Sequence, residues 1–200
     1  MATSKPKALH FTADEKANQY LATDPLALLI GMVLDQQIPL EKAFVAPYLL
    51  RERLGRDLDA AEIAATAPDD LVEKFSAKPA LHRFPAAMAR RVQEVCAIVA
   101  TTYDNDAASI WTKVPTGVEL AGRLRALPGF GPQKAQIFLA LLAKRLGVKP
   151  TGWAASAGPF GKPGSFSSVA DIDGPAALVA VREQKRALKL AAKSVTAKSR

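Results

Sequence analysis

Cysteine is almost missing from this sequence: Cys96 is the only one in 200 residues. A disulfide within the chain is therefore excluded, and so is a four-cysteine zinc or iron–sulfur centre. Histidine is nearly as rare. His10 and His82 are isolated, no metal-ligand spacing appears, and no metal or cofactor is expected. Aromatic residues make up 6% of the chain while alanine is abundant, which favours helix over sheet. No apolar run approaches the length of a membrane span, and the opening MATSKPKALHF has no long apolar core of a signal peptide. A soluble, cytoplasmic protein without a membrane partner is expected.

What is present is a large apolar fraction, 49%, enough for one domain or two small lobes sharing a core. The formal net charge is +8 and the pI is about 9.7. Such a balance attracts nucleic acid or an anionic membrane surface, although many small basic proteins bind neither.

Helical punctuation runs through the chain. Residues 1–22 form a lead-in with a short helix over Ala13–Leu21. Thr23 or Asp24 can cap the next helix, Pro25 suits its first turn, and Leu26, Leu29, Ile30, Val33 and Leu34 recur at helical spacing up to an end near Gln36-Gln37. Pro39 starts another helix and Gly55 closes it; Asp59 and Asp69 are candidate caps of two short ones. Pro85 opens a longer helix, and a short one is expected at Ala107–Trp111. Glu119–Ala126 is helical, and Pro132 starts a helix that Gly147 ends. Glycine, proline and serine dominate 148–168, which reads as a long loop. A last helix is expected from Pro175 to Ala192, followed by a disordered basic tail over 193–200; from Arg182 to Arg200 there are seven Lys/Arg against one acid, Glu183. The main domain is thus 23–192.

The most informative segment is Leu127-Pro-Gly-Phe-Gly-Pro-Gln-Lys-Ala135, between two helices. Gly129 and Gly131 allow backbone conformations closed to other residues and remove side chains that would hold a phosphate at a distance. Phe130 can turn inward as an anchor. The helix beginning at Pro132 points its free N–H groups and positive dipole end at the turn, where an anionic oxygen fits. Lys134, in the first turn, is expected to meet phosphate or solvent. Such geometry serves a DNA backbone and reads no sequence. An ordinary helix–helix turn would use some of the same residues, but the longer string of helix, LPGFG, two residues, KA and helix is more specific.

This string resembles the helix-hairpin-helix of the helix-hairpin-helix/Gly-Pro-Asp DNA glycosylase superfamily typified by endonuclease III. Two further stretches agree, in the family's order. Pro25-Leu-Ala-Leu-Leu-Ile-Gly-Met-Val-Leu-Asp-Gln-Gln37 resembles the early helix that ends in a Ser-x-Gln or Ser-Gln-Gln element, and Phe84–Val95, with Arg90 and Arg91, resembles the family's helix in which a Lys or Arg follows a small residue. The resemblance covers roughly residues 24–146. It implies an all-α, two-lobed helical bundle with double-stranded DNA bound across the cleft, and base excision repair as the activity. Gln37, with Gln36 next, would contact DNA near the extruded nucleotide, since an amide offers donors and an acceptor to unpaired bases. Gly129, Gly131, Gln133, Lys134, Arg90 and Arg91 would hold the DNA. A polar helix end is the plainer reading of the two glutamines.

The chain departs from the family in three places. Members with lyase activity carry a catalytic lysine where this chain has Gln133, and an amide cannot form a Schiff base. Lys134 is one place later, turned by roughly 100° on a helix. The resemblance also implies an aspartate soon after the hairpin helix, whose carboxylate would stabilise positive charge on the sugar, whereas here Gly131 and Asp171 are 40 positions apart, more than the family usually shows. Asp171 is the first candidate and Asp173, closer to the last helix and suited to capping it, the second; both could instead be turn residues. The endonuclease III iron–sulfur cluster needs four cysteines, so Cys96 alone cannot hold it. Trp153, Phe160 and Phe166 of the long loop could stack on a flipped base or pin the loop to the core. The leading expectation is a monofunctional DNA glycosylase. A non-catalytic DNA-binding relative, with Arg83, Arg90, Arg91 and the basic tail supplying affinity, and a protein-interaction module remain as alternatives.

Overall fold

The computed structural model describes residues 6–198, and among these it is helical without a strand; a single isolated bridge pairs Thr116 with Thr151. Ten α-helices follow one another: α1 (Glu15–Thr23), α2 (Pro25–Leu34), α3 (Leu40–Leu54), α4 (Ala60–Ala65), α5 (Pro68–Ser76), α6 (Pro85–Thr102), α7 (Gly117–Arg125), α8 (Pro132–Arg145), α9 (Trp153–Ser156) and α10 (Pro175–Lys198). Short 3-10 turns lie at Ala107–Ile110, Gly158–Gly161 and Val169–Asp171. No described helix is long and apolar enough to cross a membrane.

Local chemistry explains most helix starts. Asp14, Asp24 and Asp59 accept the first-turn N–H groups of α1, α2 and α4, and Thr116 does so for α7. Pro25, Pro68, Pro85 and Pro132 sit in first turns, where a missing N–H costs nothing. Gly55 closes α3 in the left-handed conformation.

Several expected boundaries shift. α5 is capped at Ala67, and Asp69 lies within its first turn, because Pro68 takes the first helical position. α2 stops at Leu34, since Asp35 and Gln37 leave helical geometry, with ψ 71° and φ 55° respectively. The stretch 148–168 is no open loop: α9 and the Gly158–Gly161 turn fold within it and bury Ala157 and Phe160. α10 continues to Lys198 rather than ending near Ala192; of the basic tail, residues 199–200 lie outside the described residues, as do residues 1–5 of the lead-in. The rest of the lead-in is tied down. Leu9 and Phe11 are core residues, and the buried Asn18 amide bonds the backbone of Phe11 and Thr12.

Two helices form the axis of the core. α2 buries every residue from Leu26 to Leu34, and α8 buries Ala135 and all of Phe138–Ala143. Around α2 pack α1, α3 and α6, with α4 and α5 lying on α6; around α8 pack α7, α9 and the Val169–Asp171 turn. The C-terminal end of α2 meets the N-terminal end of α8. A direct bond joins them: the Lys134 Nζ donates to the Val33 carbonyl at 3.0 Å.

Candidate nucleic-acid interface

Leu127–Phe130 closes as a tight turn, with the Phe130 N–H on the Leu127 carbonyl at 3.1 Å and Pro128-Gly129 at its corners. Gly129 has φ +83°, which an L side chain rarely adopts, as a type II turn requires at that corner. Phe130 is buried and stacks tilted on Phe138, ring centroids 5.9 Å apart, so it anchors the turn as its sequence position suggests. Gly131 differs from the expectation. Its φ of −71° and ψ of 172° suit any residue, and a Cβ added there would meet no atom within 4 Å. The fold does not need a glycine at 131. α8 has no side-chain cap, so its first-turn N–H groups open onto this bare surface.

Arg91 of α6 lies across Gly129; a Cβ on Gly129 would come within 2.7 Å of its guanidinium. Arg91 also pairs with Glu94 at 3.3 Å, and Arg90 is exposed next to it on the same helix. The structure thus brings Arg91 to the α7–α8 turn.

Beside the turn opens a cleft of about 470 Å³, lined by Met32, Asp35, Gln36, Gln37 and Ile38 from the end of α2, Gln133, Lys134 and Ile137 from the start of α8, and Phe160 and Ser167. A volume of this size suits a small organic ligand. Two of the sequence-predicted glutamines have different roles. The Gln36 amide is turned inward, donating to the Val33 carbonyl at 3.0 Å and to Met88 Sδ at 3.1 Å. Gln37 is exposed and held at φ 55°, a conformation uncommon for a residue with a side chain. Gln133 is exposed at the cleft rim.

Lys134 does not point to solvent. Besides its bond to Val33 it lies 5.7 Å from the Phe130 ring centroid. Burial pushes its pKa down to about 8, with Arg91 adding to the effect and Asp35 opposing it. The reason is tertiary: α2 ends against this face of α8, so a first-turn side chain meets protein rather than water.

Two residues that sequence reasoning missed hold this region. His82 is buried; its Nε2 donates to the Gln36 carbonyl at 2.9 Å, and its Nδ1 accepts from the Phe84 N–H at 3.0 Å, which fixes the neutral tautomer. Burial lowers its pKa, with Lys42, Arg83 and Lys134 reinforcing the shift against the Gln36 bond. Asp35 is the carboxylate on the cleft wall. The signal available was its place beside the glutamines, which reads equally as a polar helix end.

Asp171 stands behind that wall. Its side chain is only 3% exposed. Lys144 Nζ donates to one oxygen at 2.6 Å, and the Ser165 hydroxyl and the N–H groups of Ser167 and Ser168 donate to the other at 2.9, 3.0 and 3.3 Å. Ser167 separates it from the cleft. Asp173 is exposed, 3.8 Å from Arg145. Of the three loop aromatics, Phe160 is buried in the cleft wall, Trp153 is half-buried against the core, and Phe166 is 39% exposed away from the cleft. Arg83 stacks over the exposed Phe84 ring at 4.7 Å.

The chain matches no family model, and neither a curated protein nor a solved structure is significantly similar to it.

Proposed function

We propose that this protein binds double-stranded DNA through a helix-hairpin-helix formed by α7, the Leu127–Gly131 turn and α8, and that it excises damaged bases as a monofunctional DNA glycosylase in the cytoplasm. On this reading the helices on either side of the cleft are two lobes, and DNA lies across them. The observation that carries it is Gly131. The fold leaves that position conformationally ordinary and sterically open, so the missing side chain serves something outside the chain. An approaching phosphate, met by uncapped N–H groups of α8 and the nearby Arg91, supplies that reason. Enzymatic function is supported by the cleft beside the turn, roomy enough for a base and bearing a carboxylate. Lysine-type lyase chemistry has no support at Gln133, and the reading needs no iron–sulfur cluster.

The test is Gly131→Ala. Its urea midpoint should match the parent's, while affinity for a duplex, measured by fluorescence anisotropy and steeply salt-dependent, should fall about tenfold, equivalent to ~1.4 kcal/mol. Unchanged affinity would remove the turn from the interface. The second reading, a DNA-binding relative without chemistry, draws on the enclosure of Asp171, whose oxygens are already committed within the protein.

A further inference from the structure

We propose, building on the duplex-binding reading above, that the second half of α10 is an arm that lies along the phosphate backbone of the DNA flanking the cleft. It is a second contact, separate from the α7–α8 turn. The first two turns of α10 hold it to the body: Ala177 and Val181 are buried, and the helix packs on the Val169–Asp171 turn. Two side-chain contacts then fix where the helix leaves. Arg182 pairs with Glu41, in the first turn of α3, at 3.0 Å. The Gln184 amide donates to the carbonyls of Ser165 and Phe166 at 3.1 and 3.2 Å. Both contacts adjoin the cleft. Ile38, shortly before Glu41, lines it, and so does Ser167, the residue after Phe166. The helix is therefore braced by two segments of the cleft lining. From Gln184 it runs on to Lys198, an advance of about 21 Å, the length of about six base pairs.

The chemistry of this stretch selects a polyanion. After Glu183 the sequence contains no acid, while Lys185, Arg186, Lys189, Lys193, Lys198 and Arg200 are basic. Arg186, Lys189 and Lys193 recur at intervals of three and four, the spacing by which a helix returns to one side. Arg186, Ala187 and Leu190 are exposed. A duplex presents a regular row of phosphate charges, and each Lys or Arg that neutralises one releases a bound counterion. An anionic membrane is the other extended polyanion. Helices that lie in lipid bury aromatic and leucine side chains, and here no aromatic residue follows Phe166. Composition therefore favours the duplex. Contacts of this kind add affinity and fix orientation without reading sequence.

The experiment combines Lys185→Gln, Arg186→Gln, Lys189→Gln and Lys193→Gln, since glutamine preserves helix propensity. The control combines Lys16→Gln, Lys78→Gln, Lys113→Gln and Lys149→Gln, exposed positions elsewhere, for an equal loss of charge. Affinity for a duplex of about 30 base pairs is followed by fluorescence anisotropy from about 50 to 200 mM salt. The arm variant should bind about tenfold more weakly, and its plot of log affinity against log salt should be shallower by about two. A chain ending at Gln184 should behave in the same way if the arm variant folds poorly. The control should lose less than about threefold. An equal loss in the control, or no loss in either arm variant while the parent binds, would overturn the arm and leave the duplex-binding reading intact. Parent binding to phosphatidylserine vesicles that the arm variant loses, with duplex binding unchanged, would make the partner a membrane and overturn it too. Failure of the parent to bind any duplex would remove both the arm and the reading beneath it.

Discussion

At the scale of single residues, His82 shows how a side chain far from the turn in sequence decides the shape of the candidate site. Its ring is neutral because the Phe84 N–H occupies Nδ1 while Nε2 holds the Gln36 carbonyl. Burial lowers the folded pKa, so on acidification the unfolded chain takes up the proton first. Stability linked to His82 is therefore complete above about pH 6.5, the ordinary histidine value, and declines as pH falls from there toward the folded pKa. Urea midpoints measured between about pH 7.5 and 5 should drop on the acid side, and His82→Gln should flatten that drop. An equal drop in the variant would assign the dependence to other groups. None of this was legible in the sequence, where His82 stands alone. Lys134 was misread for the same reason: which way a first-turn lysine turns depends on the arrival of α2, 101 positions away. Gly129 and Phe130 were readable because a turn corner and its anchor are set by near neighbours.

At the scale of elements, the most consequential contact beyond the turn is the strap that ties segment 165–171 to the far end of α8. Lys144 lies ten positions after Lys134 on that helix, about 15 Å along its axis. Its ammonium and the Asp171 carboxylate are both largely buried, with side chains 10% and 3% exposed. Removing one partner leaves a buried charge uncompensated. Lys144→Met should therefore cost about 3 kcal/mol in urea unfolding, and the double variant Lys144→Met/Asp171→Asn should cost less than Lys144→Met alone. A loss below about 1 kcal/mol would show that the strap contributes little to the fold. Helix starts were legible where Asp or Pro sits at the entry, as at Asp24-Pro25 and Pro85. The structure within 148–168 was not. α9 spans only Trp153–Ser156 and repeats no helical period long enough to read; packing on α7 and α8 defines it.

At the scale of the molecule, the all-helical architecture follows from alanine-rich, aromatic-poor composition and from two apolar helices long enough to serve as a core axis. The net charge of +8 supplies long-range attraction for a polyanion. On the proposed reading, Arg91 and the glycine-lined turn would give that attraction a place to act, beside a cleft with Asp35 and two glutamines on one wall. Removal of damaged bases by hydrolysis can be checked with a panel of duplexes, each carrying one lesion, assayed for released base and then treated separately with alkali. Base release is expected from at least one lesion, with strand breaks appearing only after alkali. No release from any lesion, while salt-sensitive DNA binding persists, would contradict it, and so would strand breaks that form without alkali.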